Sequence, residues 1–327
     1  MTTPVICLGE CLIDRIFHRY DPHHPSTPFW VDYPGGAPAN VAVGLARLGT
    51  GVRFIGCLGE DRLGDGLLST LQSAGVDCLA VQRSNSWPTR VVLVRRDQGG
   101  EGFFVGFSQA DPAGVADAHL QLKDLRSEWF EGAQYLVMGT LGLAYGPVRE
   151  AMEQALVWAQ QYGLTTIVDV NWRPDFWPQP DLASSMIRDW LHRVDILKMS
   201  HGEAELLFQT ADPKLILNQF QRPRLVLVTA GARGCSYATT ALQGHIPAFP
   251  VECEDSTGAG DSFVAGFVHQ LCLQGLELID RSHTLRTALR YACAAGALTT
   301  TQPGAMAAQP DASTLQAFLY LYPSPSP

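Results

Sequence analysis

The stretch Asp255-Ser256-Thr257-Gly258-Ala259-Gly260-Asp261 lies between a predicted strand over residues 246–251 and a strongly apolar helical run over residues 262–273. Glycines at such a loop-to-helix junction let the backbone approach a ligand closely. The first N–H groups of the helix point outward without an intrahelical partner, and a helix start of this kind binds anions. The stretch therefore predicts an anion site at the beginning of a core helix.

Asp261 is unexpected at this position, because a carboxylate ordinarily repels an anion bound at a helix start. It makes chemical sense if Asp261 accepts a proton from an attacking hydroxyl while the neighbouring N–H groups stabilise the oxygens of a group in transfer. Phosphoryl transfer divides the work in this way. A glycine-rich turn in which Asp261 merely begins the helix is a common structural alternative. The stretch by itself leaves both interpretations open.

The composition narrows the class of protein. The 327 residues are 46% hydrophobic and 17% charged, which suits one large α/β domain or two ordinary ones with a sizeable core. The formal net charge of -9 argues against nucleic acid as a partner. The eight cysteines contain no C-x-x-C pair, which predicts reduced core thiols. We predict no signal peptide and no membrane span, so the expected location is cytoplasmic.

Predicted strands and helices alternate along most of the chain, which indicates an α/β fold with a doubly wound, mostly parallel sheet flanked by helices. We interpret residues 1–327 as a single domain, with a further strand over residues 76–81 and an antiparallel extension over residues 234–246. Two segments, about 15–33 and 88–107, interrupt the alternation and are interpreted as a small β-sheet lid. Exposed aromatic residues in the lid predict a homodimer formed through it: Phe29, Trp30, Phe103 and Phe104.

The N-terminal part contains a second candidate ligand site. Asp14 follows the first predicted strand, at the edge where open α/β sheets bind ligands. The stretch Gly35-Gly36-Ala37-Pro38-Ala39-Asn40 then leads into a helix predicted over residues 41–48. A Gly-Gly turn followed by an early Asn suits close contact with a polar ligand, and a tight turn with a capping residue is the alternative.

These two stretches together resemble the paired signatures of the ribokinase-like (PfkB) carbohydrate kinases. The resemblance extends from about residue 5 to residue 310. Within the family the chain is most similar to bacterial and plant fructokinases. The residues that carry this similarity are Gly9-Glu10-Cys11-Leu12-Ile13-Asp14 and Asp169-Val170-Asn171-Trp172-Arg173-Pro174. The resemblance implies a ribokinase-like fold and an ATP-dependent sugar kinase.

The resemblance also implies roles for individual residues. Asp261 would be the base, and the N–H groups of Gly258, Ala259 and Gly260 would form the anion hole for the γ-phosphate. Asp14 and Asn40 would hold sugar hydroxyls, with Gly35 and Gly36 allowing close approach. The pattern formed by Asp169, Asn171 and Arg173 would reach toward the sugar and the phosphate, where a guanidinium presents a fork to phosphate oxygens.

On the nucleotide side the resemblance implies a loop containing Thr229, Gly231 and Gly234, together with Asp255. Many family members carry an Asn-x-x-Glu motif, and here Ser200-His201-Gly202-Glu203 has Ser in place of Asn. Glu203 would contact Mg²⁺ through water, with the ATP phosphates. The implied cofactors are Mg²⁺ with ATP and, as a further candidate, a monovalent cation such as K⁺.

The sequence favours phosphorylation of a sugar primary hydroxyl by ATP, with D-fructose to fructose 6-phosphate as the leading reaction. Ribokinase, 2-keto-3-deoxygluconate kinase and nucleoside kinase are the alternatives within the family. A catalytically silent sugar- or nucleotide-binding regulator and an α/β oxidoreductase are the alternatives from other classes. The absence of a Gly-Lys dipeptide excludes a P-loop, and the absence of an H-R-D motif excludes an ordinary protein kinase.

Overall fold

The computed structural model describes residues 3–18, 29–96 and 102–323. Its strands are β1 (Val5–Leu8), β2 (Leu12–His18), β3 (Phe29–Gly35), β4 (Val52–Gly59), β5 (Val81–Ser84), β6 (Val91–Arg96), β7 (Gly102–Phe107), β8 (Tyr135–Met138), β9 (Thr165–Asp169), β10 (Ile196–Ser200), β11 (Leu225–Thr229), β12 (Cys235–Thr239) and β13 (Gln243–Ile246). Its α-helices are α1 (Ala37–Arg47), α2 (Arg62–Ser73), α3 (Gly146–Tyr162), α4 (Pro180–Leu191), α5 (His201–Phe208), α6 (Pro213–Leu217), α7 (Ala259–Gln274), α8 (Ser282–Thr299) and α9 (Ala312–Leu321).

The described strands form a main sheet in the order β13-β12-β11-β10-β9-β8-β1-β4-β5. The pairs from β11 to β5 are parallel, whereas β12 and β13 pair antiparallel at one edge. This confirms the predicted doubly wound, mostly parallel sheet and its antiparallel extension. Parallel strands of this kind are buried on both faces by helices, so most of their residues are apolar.

The two faces of the main sheet bury separate hydrophobic clusters. Along β1, Val5 and Cys7 belong to one cluster while Ile6 and Leu8 belong to the other, because successive side chains of a strand point to opposite faces. The first cluster includes buried residues of α1, α7 and α8, and the second includes those of α3 and α4. Within the described residues, none of the helices combines the length and hydropathy that a bilayer span requires.

A second, four-stranded sheet has the order β3-β2-β6-β7 and confirms the predicted small β-sheet. β2 pairs antiparallel with β3 and parallel with β6, which joins the two sequence segments into one layer. We call this sheet the lid. The parts of the lid prediction that fall on residues 19–28 and 97–101 lie outside the described residues.

The aromatic residues of the lid follow the dimer expectation only in part. Trp30 is 39% exposed and Phe29 is half-buried. Phe104, like Phe29, was expected to be exposed and is half-buried, so the prediction is wrong for both. The ring of Phe104 lies 4.9 Å from that of Phe107 and 5.8 Å from that of Phe176, measured between centroids. The side chain of Phe103 lies outside the described part of the chain.

Helix α1 begins four residues earlier than predicted. Ala37 starts the helix directly after Gly36, so that Pro38 lies in the first turn. Proline is tolerated there because the first helical N–H groups have no intrahelical partner. The early start places Asn40 in the helix, where its N–H donates to the Gly36 carbonyl at 2.8 Å.

Two strand predictions are corrected. The strand predicted over residues 246–251 is absent, because β13 ends at Ile246 and the next residue, Pro247, cannot donate to a ladder. The strand predicted over residues 76–81 is displaced, since β5 begins only at Val81. The Asp77 carboxylate accepts a 2.9 Å hydrogen bond from the Leu79 N–H, which forms a turn in place of a strand.

Candidate active site

A cleft of about 400 Å³ lies between the lid and the carboxyl ends of the parallel strands. Strands β9, β10 and β11 end there, which is where open α/β sheets bind ligands. The structure brings most of the predicted site residues into its lining: Asp14, Gly36, Asn40, Asp169, Asn171, Arg173, Ser200, Glu203, Thr229, Gly258, Gly260 and Asp261.

Asp261 lies in the first turn of α7 and meets Asn40 from α1. Asn40 Nδ2 donates a hydrogen bond of 2.7 Å to Asp261 Oδ2 across 221 residues of sequence. Burial raises the pKa of Asp261, while the Asn40 hydrogen bond and the ammonium of Lys198 act in the opposite direction. A raised pKa suits a carboxylate that takes up a proton during the reaction.

The start of α7 has the features of an anion site. Gly258 precedes the helix in a left-handed conformation with φ of 80°, and as a glycine it has no side chain that could cap the first N–H groups. Gly258 and Gly260 both line the cleft. Ala259 is not in the lining and its N–H donates to the Ser256 carbonyl at 3.3 Å, so its place in the anion hole stays a prediction. The unsatisfied donors of the first turn therefore lie next to Asp261.

Asp14 projects from β2 of the lid into the cleft, and the two glycines of the Gly-Gly turn make room around it. A Cβ atom at Gly35 would lie 2.2 Å from Asp14 Oδ2. Gly36 has φ of 102°, and a Cβ atom there would lie 2.6 Å from the Glu10 carbonyl oxygen. The glycines are thus required by close packing, and Gly35 supports Asp14 without lining the cleft itself.

The rest of the lid surface in the cleft is apolar. Asp14 and Ile16 are paired in register with Val92 and Val94, so all four lie on one face of the lid. A surface of this kind excludes water from bound ligand. The apolar lining residues of the lid are Leu12, Ile16, Val92, Val94 and Phe104, and Leu141 and Phe176 add apolar surface from outside the lid.

The loop after β9 is held in place by Glu203. Asn171 has a positive φ of 40°, and the Trp172 N–H donates to Glu203 Oε1 at 2.7 Å. Arg173 follows, with its side chain 55% exposed and Nη1 4.0 Å from the same Glu203 oxygen. The loop thereby carries a long cationic side chain to the rim of the cleft.

Ser200 caps helix α5. Its Oγ accepts a hydrogen bond from the Glu203 N–H at 3.2 Å, and Glu203 Oε2 accepts one from the Ser200 N–H at 2.7 Å. This reciprocal pair is a capping box, in which Ser is as suitable as Asn. Ser200, which replaces the Asn of Asn-x-x-Glu, therefore still caps the helix. The Glu203 carboxylate has further lone pairs that can accept hydrogen bonds from a ligand.

Three residues predicted for the nucleotide lie outside the lining of the cleft. Gly231 and Gly234 form the turn after β11 with φ of 55° and 92°. Asp255 is fully buried and accepts hydrogen bonds from the Thr257 N–H, the Thr257 hydroxyl and the Gly304 N–H, at 3.0, 2.6 and 2.8 Å. These contacts hold the loop that precedes α7, and a role in ATP binding stays a prediction for all three.

Comparison with known proteins agrees with this geometry. The profile described as pfkB family carbohydrate kinase matches residues 2–312. The chain belongs to this family. Probable fructokinase-3 of Arabidopsis thaliana is 33% identical over 309 residues, which cover 94% of this chain and 88% of that protein.

Solved structures give the same result. A fructokinase from Xylella fastidiosa with bound ATP is 30% identical, with a TM-score of 0.88 and coverage of 98% of this chain and 99% of that chain. A fructokinase double mutant from Vibrio cholerae O395, bound to fructose, ADP and potassium ion, is 31% identical. Its TM-score is 0.85, with coverage of 97% and 98% of the two chains. The predicted family and ribokinase-like fold are confirmed.

The structure of this pfkB family kinase adds two charged residues to the lining that sequence reasoning did not assign. Glu10 lines the cleft and accepts a hydrogen bond from the Ala37 N–H at 3.2 Å, at the start of the helix that carries Asn40. Burial raises the pKa of Glu10 to about 7, with a further contribution from nearby Asp117. Glu10 lies in a stretch that already carried the family resemblance. Its charge at that position was the sequence signal that could have assigned it to the site.

Lys198 is the second unassigned residue. It lines the cleft from β10, and its Nζ donates to Asp169 Oδ2 at 2.7 Å. Burial raises the pKa of Asp169 to about 6 against the opposing effect of Lys198. The sequence signal that could have assigned Lys198 to the site was the rarity of lysine. The chain has only three lysines, and only this one stands in a predicted core strand.

Proposed function

We propose that this protein transfers the γ-phosphoryl group of ATP to a primary hydroxyl of a sugar, and that the sugar is D-fructose, which becomes fructose 6-phosphate. The observation that carries the proposal is the hydrogen bond between Asn40 and Asp261 at the start of α7, in a cleft that also contains Asp14. It joins the predicted sugar site to the predicted base. The similarity to fructokinases along nearly the whole chain supports fructose as the acceptor.

The proposed reaction is an in-line displacement. Asp14 and Asn40 hold adjacent sugar hydroxyls, and Asp261 accepts the proton of the primary hydroxyl as its oxygen attacks the γ-phosphorus. The bond from the γ-phosphorus to the β,γ-bridging oxygen breaks, and ADP leaves. The first N–H groups of α7 and the guanidinium of Arg173 stabilise the charge on the phosphoryl oxygens.

Mg²⁺ fits the donor set of the cleft. Mg²⁺ is usually held by one or two carboxylates, waters and substrate phosphates. The described residues contain no group of three or more His, Cys, Asp or Glu side chains that could hold a metal by themselves, which is consistent with a metal carried by the nucleotide. Glu203 would contact it through water, next to Ser200 and Thr229 on the nucleotide side.

Potassium is proposed as a second cofactor because the similar Vibrio cholerae protein was solved with fructose, ADP and potassium ion bound. The proposal predicts faster turnover in potassium than in sodium salts of equal ionic strength.

We further propose a homodimer formed through the lid and a cytoplasmic location. Trp30 and Val105, 39% and 43% exposed, supply apolar surface on the lid. All eight cysteines are free thiols, which suits a reducing compartment. Ribose, 2-keto-3-deoxygluconate and nucleosides are the alternative acceptors. A silent regulator is disfavoured because Asp261 and its neighbouring glycines are all present.

The proposal is tested by a coupled assay of ADP release with a panel of D-fructose, D-ribose, 2-keto-3-deoxygluconate and ribonucleosides. Phosphorus NMR of the product would identify the acceptor oxygen. We expect the highest kcat/KM with fructose and a phosphate on O6. Binding of sugar without any ADP release would support the regulator, and a higher kcat/KM with another acceptor would replace fructose in the proposal.

A further inference from the structure

Lys198 is buried to a degree that needs an explanation. The residue is 5% exposed, yet it ends in an ammonium group, and burying a charge is costly unless it is paired. Asp169 supplies one partner at 2.7 Å, and its side chain is equally buried. Replacing such a pair with apolar residues is often neutral or stabilising, so fold stability by itself does not account for it.

The hydrogen-bond donors of Lys198 are only partly used. An ammonium group carries three donors. Among the described residues, Nζ donates one hydrogen bond, to the Oδ2 atom of Asp169. Two donors therefore remain for a ligand in the cleft that Lys198 lines.

The ammonium lies directly beside the start of α7. A Cβ atom at Gly260 would lie 2.8 Å from Lys198 Nζ, so glycine at this position leaves the space that the ammonium occupies. A group bound to the first N–H donors of α7 is consequently within reach of Lys198. The helix start and the ammonium attract the same kind of ligand, an anion.

The surrounding charges keep Lys198 protonated. Burial acts to lower its pKa, but the carboxylates of Asp169, Glu203 and Asp261 outweigh it, so the pKa lies above the ordinary value. Lys198 is thus a permanent cation at neutral pH. Unlike Arg173, which is half-exposed on a loop, it is fixed in a strand of the main sheet.

We propose that Lys198 is a catalytic residue whose ammonium binds the transferring phosphoryl group at the start of α7, with Asp169 as the counterion that holds it there. During transfer, charge is spread over the equatorial phosphoryl oxygens. A compact point charge fixed at that place stabilises this charge without reorganisation. The inference rests on the proposed function, because it requires a phosphoryl group at this helix start.

The simplest alternative is that Lys198 only neutralises Asp169. Lys198→Met on its own would leave the carboxylate of Asp169 buried without a partner and destabilise the fold. The decisive comparison is therefore between Asp169→Asn and the double variant Asp169→Asn/Lys198→Met, which has no charge at either position. Lys123→Met, on the exposed surface, serves as the control for removal of a lysine.

If Lys198 binds the phosphoryl group, the double variant should have a kcat about 10²–10³-fold below that of Asp169→Asn, as for loss of one transition-state donor. The sugar KM should stay close to that of Asp169→Asn. Equal kcat values in these two variants would overturn the proposal. A wild-type protein without activity on any acceptor would instead overturn the proposed function, so the two failures are distinguishable.

A binding measurement covers the case in which Asp169→Asn is itself too slow to assay. Calorimetry would compare ADP alone with ADP plus aluminium fluoride, both in the presence of the sugar. We expect the double variant to bind the fluoroaluminate complex about 10²-fold more weakly than Asp169→Asn does, while the two variants bind ADP with similar affinity. Equal affinity of the two variants for the complex would overturn the proposal.

Discussion

Replacing Asp261 with Asn removes one charge from the base of the cleft and leaves the size of the side chain almost unchanged. The amide oxygen of the new residue can still accept the 2.7 Å hydrogen bond from Asn40. The contact between α1 and α7 should survive, so the binding of sugar and ATP should change little. The variant cannot take up the proton of the attacking hydroxyl.

The expected loss of kcat is about 10²–10⁴-fold, the usual contribution of a general base. At about 1.36 kcal/mol for each factor of ten, this corresponds to roughly 2.7–5.4 kcal/mol of transition-state stabilisation. Coupled assays of ADP release at saturating fructose and Mg-ATP measure it. A variant that keeps more than about a tenth of the wild-type kcat would refute the role of Asp261 as the base.

The same substitution should stabilise the fold. Burial raises the pKa of Asp261, so the folded state holds this proton more tightly than the unfolded state does. Stability from this group is present below the ordinary carboxyl pKa of about 3.9 and is lost as the pH rises through the raised value. Asp261→Asn should therefore melt at a higher temperature than wild type at pH 7, with the difference vanishing near pH 4. A lower melting temperature at pH 7 would contradict the electrostatic argument.

Four further predictions follow from single contacts. Arg173→Lys should lower kcat or raise the ATP KM by about 10- to 100-fold, because hydrogen bonds to charged groups contribute about 1.5–3 kcal/mol and Lys lacks the forked donors of the guanidinium. Wild-type values of kcat and of the ATP KM would make Arg173 a surface residue. Asp14→Ala should raise the fructose KM by a similar factor with little change in the ATP KM, and an unchanged fructose KM would place the sugar elsewhere. Arg90→Met should cost about 3–5 kcal/mol in the free energy of unfolding, because it leaves Asp117 without its partner in a pair whose side chains are 0% and 1% exposed. Arg90→Met/Asp117→Leu should recover most of this loss in urea titrations. No recovery would mean that Arg90 acts through packing against the rings of Phe107, Tyr145 and Phe176. Glu10→Gln should raise the melting temperature at pH 8 and not at pH 4. The reason is that the pKa of Glu10 is raised to about 7, so that the stabilising contribution of this group is lost above that pH. An equal shift of the melting temperature at both pH values would rule out ionisation of Glu10 as the cause.

Much of the fold follows from local sequence. The alternation of apolar strand and helix patterns predicts a parallel sheet because each parallel connection needs a crossover helix. The glycine motif before α7 predicts an anion site because only glycine combines a left-handed φ with close backbone approach, as the φ of 80° at Gly258 shows. The errors lie where local signals compete, as at Pro38, which breaks most helices and is accepted in the first turn of α1.

The pairing of side chains across the site was decided by tertiary structure. Lys198 meets Asp169 because β10 and β9 run parallel with these two residues in register, and a shift of one residue would turn either side chain to the opposite face. The direction of Phe104 depends in the same way on the pairing of β7 with β6, which has a register shift between Leu93 and Val94. Sequence by itself determined which residues could act in this protein, through their chemistry and their place at the ends of strands and helices. Strand register and helix packing decided which of them meet, because contacts between residues far apart in the chain depend on the whole fold.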